Sequence, residues 1–237
     1  MNNFSDVLRK TLSDFQIPLC DEAVERLSIY NDLLIEWNEK MNLTALTAPE
    51  DVALKHFADS LMLLKYTEIA QDANVIDVGT GAGFPGLVLK IARPDIKLTL
   101  LDSLQKRLHF LDEVCKTLCI DDVTLVHSRA EDGSCTELRD SFDIAVSRAV
   151  ASMNILCEYD MPYVRVGGRF IAMKGKGAEE EMKMADNAIE KLGGKLLRKH
   201  DFLLGEAGER SMIEIEKIAP TPAVYPRKSK AIKNKPL

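Results

Sequence analysis

Val75-Ile-Asp-Val-Gly-Thr-Gly-Ala-Gly-Phe-Pro-Gly86 is the stretch that decides the fold. A short apolar run meets four glycines within eight residues, and the helical run Leu87 to Ala92 follows. Glycine admits positive φ and lets a ligand approach the backbone with no Cβ between, so the stretch reads as a buried strand, a ligand-holding turn and a helix. Gly81 to Gly86 matches the dinucleotide pattern GxGxxG letter for letter. That match begins two residues late, because Gly79 already closes the strand. Pro85 also lacks an N–H in the first turn, where a pyrophosphate needs consecutive donors. Asp77, two residues ahead of Gly79, suits a ligand bearing an ammonium group better than one bearing phosphates.

Beyond Asn74 the same texture repeats. Strand-like runs at Asn74–Val78, Lys97–Leu101, Val123–Val126, Phe142–Ser147 and Arg169–Met173 alternate with helical patterns such as Leu104, Leu108, Leu111, Cys115 and Leu118. That alternation predicts a doubly wound, Rossmann-like α/β fold with helices on both faces of a parallel sheet. The helix from Ala178 should stop at Gly193-Gly194. The runs Lys195–Leu203 and Ser211–Ile218 are joined by a link too short for a crossover helix, so they should form a terminal antiparallel hairpin. Before Asn74 the chain reads helical. Val24, Leu27, Tyr30, Leu34, Trp37 and Met41 form one apolar stripe, and Thr47-Ala-Pro-Glu50 resembles a capping box opening a helix towards Tyr66. The expected organisation is a helical cap over 1–70, the α/β domain over 71–220 and a basic tail over 221–237.

Composition excludes several classes. The chain has 237 residues, 46% hydrophobic and 29% charged, which suits a globular domain able to bury its own core. No run approaches a membrane span, and no basic patch precedes an apolar core at the N-terminus, so a cytoplasmic location is expected. Five cysteines without a CxxC pair read as reduced thiols, and no metal site is expected. The net charge is −6, yet Thr221 to Leu237 carries Arg227, Lys228, Lys230, Lys233 and Lys235 and no acid. An acidic body with a basic tail disfavours broad polyanion binding and suggests a focused contact, although a solvated, frayed terminus is the more common explanation of such a tail.

Further positions sharpen the ligand. Asp102 ends the second strand, where a carboxylate accepts ribose hydroxyls, of NAD or of adenosine. After the third strand, the Ala130 N–H can donate to adenine N1 while Glu131 accepts from the exocyclic amine. With Asp77, Gly79 and Gly81 these residues describe an adenosine clamp over three strand ends, which points to S-adenosylmethionine. An NAD-dependent oxidoreductase is the alternative, and it lacks an evident Tyr-Lys, His-Asp or Cys constellation. A non-enzymatic RNA-binding module and a methyltransferase for a non-RNA acceptor are the other readings.

Trp37-Asn, Asn42-Leu-Thr-Ala45, Lys55-His-Phe-Ala-Asp-Ser-Leu61, Asp77 to Gly86, Ser147-Arg-Ala-Val-Ala151, Thr221-Pro, Tyr225-Pro-Arg and Lys235-Pro-Leu occur in that order. With these motifs the chain resembles the ribosomal RNA small-subunit methyltransferase G family, also called glucose-inhibited division protein B. The resemblance implies S-adenosylmethionine-dependent methylation of guanine N7 in the 530 loop of 16S ribosomal RNA. It also implies the small ribosomal subunit or its RNA as partner and cofactor contacts at Gly79, Phe84, Ala130, Glu131 and Arg148. Lys230 and Ile232 stand where the family usually has Gly and Pro, so the tail should turn differently.

Guanine N7 is a bare lone pair, so attack requires orientation and not a base, and no catalytic residue is nominated. The chain has no Asp/Asn-Pro-Pro-Tyr/Phe segment for an exocyclic amine, and Cys135 and Cys157 lack the settings of covalent cytosine enzymes. Arg148 can hold the cofactor carboxylate or the guanine Hoogsteen face. Phe84 is expected to be exposed beside the cofactor, with a core role as the competing view. His56 and Asp59 read as a structural pair one helical turn apart. Lys174, Arg227 and Lys228 are the expected RNA phosphate contacts, and loss of the tail should spare cofactor binding.

Overall fold

A computed structural model describes residues 4–148 and 150–237. In chain order the helical N-terminal region contains α1 (Phe4–Asp14), α2 (Asp21–Met41), α3 (Pro49–Val52), a π-helical segment over Ala53–Ala58 and α4 (Asp59–Tyr66). The α/β part follows as β1 (Asn74–Val78), α5 (Gly86–Ala92), β2 (Lys97–Asp102), α6 (Gln105–Thr117), β3 (Val123–His127), α7 (Ala130–Gly133), β4 (Phe142–Arg148), α8 (Met153–Asp160) and β5 (Val164–Lys174). The chain ends with α9 (Ala178–Lys191), β6 (Gly194–Leu203), β7 (Glu209–Lys217) and α10 (Ser229–Asn234).

The seven strands lie in the order β3-β2-β1-β4-β5-β7-β6. The first five are parallel, and β7 runs antiparallel to both β5 and β6, as the short link between the last two strands requires. The chain winds outward from β1 to β3 and returns to place β4 on the other side of β1. The β1/β4 boundary is therefore the switch point where such sheets open a crevice at their carboxyl edge.

Strand period-two alternation divides the core between the two faces. Val75, Leu98, Leu100, Ile144 and Ile171 pack with the N-terminal helices and with α5 and α6. Their neighbours Ile76, Leu101, Ala145, Phe170 and Ala172 pack with α8 and α9. The stripe on α2 supplies Val24, Leu27, Tyr30 and Leu34 to the first face, all buried. The helical cap thus shares one core with the sheet and covers the glycine turn from above.

Three local expectations change. The capping box at Thr47 does not form: Ala48 occupies the N-cap, Pro49 follows it, and no side chain caps the helix. The helix towards Tyr66 is interrupted by the π-helical turn that carries His56, a geometry that displaces side chains from regular α spacing. The tail is docked and not a frayed terminus, since Thr221 and Ile232 are buried and α10 packs on α8.

Candidate active site

The turn after β1 is built on its own hydrogen bonds. Gly79 and Thr80 both donate their N–H to the Leu101 carbonyl at 2.8 and 3.0 Å, tying the turn to β2. The Gly81 N–H donates to Asp102 Oδ2 at 2.9 Å. Gly83 and Phe84 donate to the Thr80 carbonyl. Gly79, Gly81 and Gly83 have φ of 76°, 61° and 93°, the left-handed region that L side chains resist. At Gly83 a Cβ would also stand 2.2 Å from the Tyr30 hydroxyl, so the cap and the turn meet there in contact that only glycine allows.

Asp77 lies beneath this turn. It is fully buried, and its Oδ2 accepts from the Thr80 hydroxyl at 2.7 Å and the Gly86 N–H at 2.8 Å. Burial pushes its carboxyl up to about 6, and those two hydrogen bonds limit the rise. The expected ammonium-facing acid is corrected accordingly: Asp77 braces the turn from inside and forms no part of the cavity wall.

Above the turn opens a cavity of about 680 Å³. It gathers Gly79, Gly81, Phe84, Asp102, Ala130, Glu131 and Arg148, the expected positions other than Asp77. Asp102 is buried, and besides Gly81 it accepts from the Leu104 N–H at 2.8 Å and from Arg107 Nη1 at 3.2 Å. Glu131 is also buried, and among the described residues its carboxylate accepts no hydrogen bond. Ala130 opens α7, so its N–H has no carbonyl one turn earlier within that helix. The cavity therefore presents an unused carboxylate and a helix-end donor side by side. Its glycine N–H groups at Gly79 and Gly81 already have partners.

Phe84 differs from expectation. It is buried, with its ring near-parallel to those of Tyr30 at 5.6 Å and His56 at 4.5 Å. The residue lines the cavity and fills the joint between cap and turn, with Phe57 of the cap edge-on to its ring. Arg148 also turns away from a free ligand role. Its Nη1 donates to the carbonyls of Lys55 and His56 and to Asp59 Oδ2 at 2.9 Å, and it sits 5.3 Å from the centre of the Phe84 ring. Asp59 pairs with Arg148 and Arg210, so the expected His56–Asp59 pair does not form.

His56 faces the cavity instead, together with Thr44. Its Nδ1 lies 3.4 Å from Arg148 Nη2 and its Nε2 lies 2.7 Å from Thr44 Oγ1. Arginine only donates, so Nδ1 accepts and Nε2 carries the proton, which it gives to Thr44. Thr44 Oγ1 also accepts the Leu46 N–H, which leaves the threonine proton free to point elsewhere. Burial, reinforced by the Arg148 charge, pushes the imidazole down to about 3, so the ring is neutral near pH 7.

The rRNA small subunit methyltransferase G family model matches residues 23–212. This chain belongs to that family. Ribosomal RNA small subunit methyltransferase G of Desulforamulus reducens is 46% identical over the full length of both chains. The protein of that name from Clostridium botulinum strain Alaska E43 is 46% identical over 99% of each. Among solved structures, precorrin-6y C5,15-methyltransferase of Geobacter metallireducens aligns with a TM-score of 0.51 at 17% identity, over 67% of this chain and 86% of that one. TYW2 of M. jannaschii, solved in complex with AdoMet, aligns with a TM-score of 0.54 at 15% identity, over 68% and 75%. These two likenesses establish the fold.

In this methyltransferase G family member, two of the three cations expected to meet RNA are engaged within the protein. Lys174 donates to the Ala151 carbonyl and pairs with Glu181, both at 2.7 Å, with its side chain 9% exposed. Arg227 is clamped on buried Glu158. Lys228 is exposed and forms no ion pair among the described residues. Sequence reasoning missed Arg107, Tyr159, Ser229 and Lys233 as cavity-lining residues. Thr44 stood only within a family motif and His56 read as the partner of Asp59, whereas a π-helical turn carries His56 and both residues line the cavity. No helix is long and apolar enough among the described residues to cross a membrane.

Proposed function

We propose that this chain methylates N7 of a guanine in the 530 loop of 16S ribosomal RNA, using S-adenosylmethionine, with the small ribosomal subunit or its RNA as partner in the cytoplasm. The observation that carries the choice of cofactor is the pairing pattern of the cavity. Gly79, Thr80 and Gly81 have their N–H groups engaged, which leaves no cradle for a pyrophosphate. Glu131 keeps an unused carboxylate beside the Ala130 N–H, which complements the exocyclic amine and N1 of adenine. Asp102 retains acceptor capacity for ribose hydroxyls, since a carboxylate has about four lone-pair sites and three donors occupy it. This pattern disfavours NAD.

Bound S-adenosylmethionine supplies an electrophilic methyl group on a positively charged sulfur. The protein's own task is then to hold a guanine in line with that group and to exclude water, which lowers the barrier through proximity. No residue is required to remove a proton, because N7 carries none. Thr44 has a free hydroxyl proton at the cavity wall, and we assign it the guanine side, where O6 accepts. Arg148 serves by fixing His56 and the cap, and Phe84 by seating the turn. In this reading the cap over 1–70 forms the substrate side, the domain over 71–220 holds the cofactor, and the segment 221–237 packs on α8.

The test is methyl transfer from labelled S-adenosylmethionine to small ribosomal subunits from cells lacking this protein, followed by nucleoside digestion and mass spectrometry. Label in 7-methylguanosine is expected. Label in another nucleoside overturns the N7 assignment, and bound cofactor with no labelled RNA overturns the substrate class.

A further inference from the structure

We propose that residues 221–237 form a wall of the cofactor cavity, with Arg227 as the positioning residue that seats Ser229 and Lys233 against its adenine end. The proposal rests on the reading of this cavity as the S-adenosylmethionine site. It runs against the expectation that a basic tail is an RNA-binding appendage whose loss leaves the cofactor untouched.

The anchor is buried. Glu158 is wholly inaccessible and accepts from Arg227 Nε at 2.8 Å, Arg227 Nη2 at 2.6 Å and the Arg227 backbone N–H at 2.8 Å. Side chain and backbone of one residue thus hold one carboxylate, a two-pronged grip that fixes direction as well as distance. Arg227 Nη1 reaches on to the Lys235 carbonyl at 3.0 Å and closes the segment on itself, with Ile232 fully buried inside the loop so formed. Upstream, Arg139 donates to the carbonyls of Thr221 and Tyr225 at 2.8 and 3.0 Å, and the Thr221 hydroxyl donates to the Leu192 carbonyl at 2.8 Å. A solvated polycation needs none of these contacts.

The segment is held where the cavity needs a wall. Tyr159 adjoins Glu158 in α8 and lines the cavity, and α10, which carries Ser229, packs on that same helix. α8 also packs against α7, which carries Ala130 and Glu131, and these two residues and Tyr159 line one cavity, so this corner lies at its Glu131 end. Ser229 and Lys233, one helical turn apart on α10, line that same end. A lysine there contributes its aliphatic stem to an apolar base edge while its ammonium stays in water.

The experiment is calorimetric binding to the full chain of S-adenosylmethionine and of 5′-methylthioadenosine, which lacks the amino-acid part. The proteins are the parent, a Ser229→Ala/Lys233→Ala pair, Arg227→Ala and Arg227→Lys. The pair should keep the parent melting temperature and weaken both ligands by the same factor, about tenfold, because the lost contacts lie on the adenosyl part they share. Arg227→Ala should weaken both further, and Arg227→Lys should recover part of the loss. Parent affinity in the folded pair overturns the proposal, as does a loss confined to S-adenosylmethionine. If Arg227→Ala fails to fold, the surface pair decides the matter alone. A parent protein that binds neither ligand overturns the reading of the cavity itself, an outcome distinct from parent binding that the tail variants leave unchanged.

Discussion

The imidazole of His56 lies flat on the ring of Phe84, 4.5 Å between centres and 10° from parallel, so a residue of the helical cap rests directly on the turn that follows β1. Tyr30, also of the cap, stacks near-parallel to the same ring at 5.6 Å. Cap and turn are thus one packed unit, and disturbing either should move the other. Phe84→Ala should cost about 3–5 kcal/mol, the usual range for a large buried aromatic, and should weaken cofactor binding in whatever remains folded. Denaturant unfolding read together with calorimetry checks both parts. A small stability loss would show that the cap does not depend on this ring.

His56 and Asp77 should oppose each other in acid. The His56 pKa falls to about 3 in the folded chain, so the unfolded chain binds a proton there that the folded one does not, and stability drops as pH falls from about 6.5 towards 3. Asp77 rises to about 6, so between about 4 and 6 the folded chain holds a proton that the unfolded one releases, and stability increases as pH falls through that window. The two slopes largely cancel between pH 4 and 6. Asp77→Asn should therefore steepen the acid loss by about 1.4 kcal/mol per pH unit, and His56→Gln should reverse its sign. Urea unfolding at pH 4, 5 and 6 measures both, and equal slopes in all three proteins would contradict the assignments.

The glycines of the turn should separate sharply. Gly83→Ala places a Cβ 2.2 Å from the Tyr30 hydroxyl at a φ of 93°, whereas Gly81→Ala meets nothing within 4 Å and bears only the cost of its φ of 61°. Gly81→Ala should lose about 1–2 kcal/mol and stay folded, and Gly83→Ala should lose several times more. Thermal melts decide it, and equal losses would place the Tyr30 contact elsewhere.

Salt dependence should distinguish free cations from engaged ones. Lys228→Gln should reduce the slope of log affinity against log salt by about 0.7–0.9 for one phosphate contact. Lys174→Gln should leave that slope unchanged, because Lys174 already holds Glu181 and the Ala151 carbonyl. Arg227→Gln should also spare the slope while costing about 3–5 kcal/mol of stability, since Glu158 would be left buried without its partner. Filter binding of ribosomal RNA across a salt series tests all three, and a slope change in Lys174→Gln would show that its ion pair opens for RNA.

Much of this was legible in one dimension. Asn74–Val78 reads as a strand because β-branched Val75, Ile76 and Val78 lead straight into a glycine turn, and β1 has those bounds. The antiparallel last pair follows from a link too short to cross over. Gly79, Asp102, Ala130 and Glu131 could be placed at one sheet edge because parallel strands end on the same side. Cations were not legible in this way. Lys174 and Arg227 look free in a sequence, and their partners Glu181 and Glu158 are set by the packing of α9 and α8.

The sequence by itself determined the alternation of strands and helices, the glycine turn and the family, because these depend on local periodicity and on residues with special backbone freedom. Tertiary structure alone decided which face each charged group meets. It turned Asp77 inward as a brace and turned Arg148 onto the cap. It brought His56 and Thr44 to the cavity through a π-helical turn and laid the tail along α8. The physical reason is that a charged or polar side chain takes its role from the partner it finds on burial. Arg148 finds Asp59 89 residues away and Arg227 finds Glu158 69 residues away, separations no local pattern encodes.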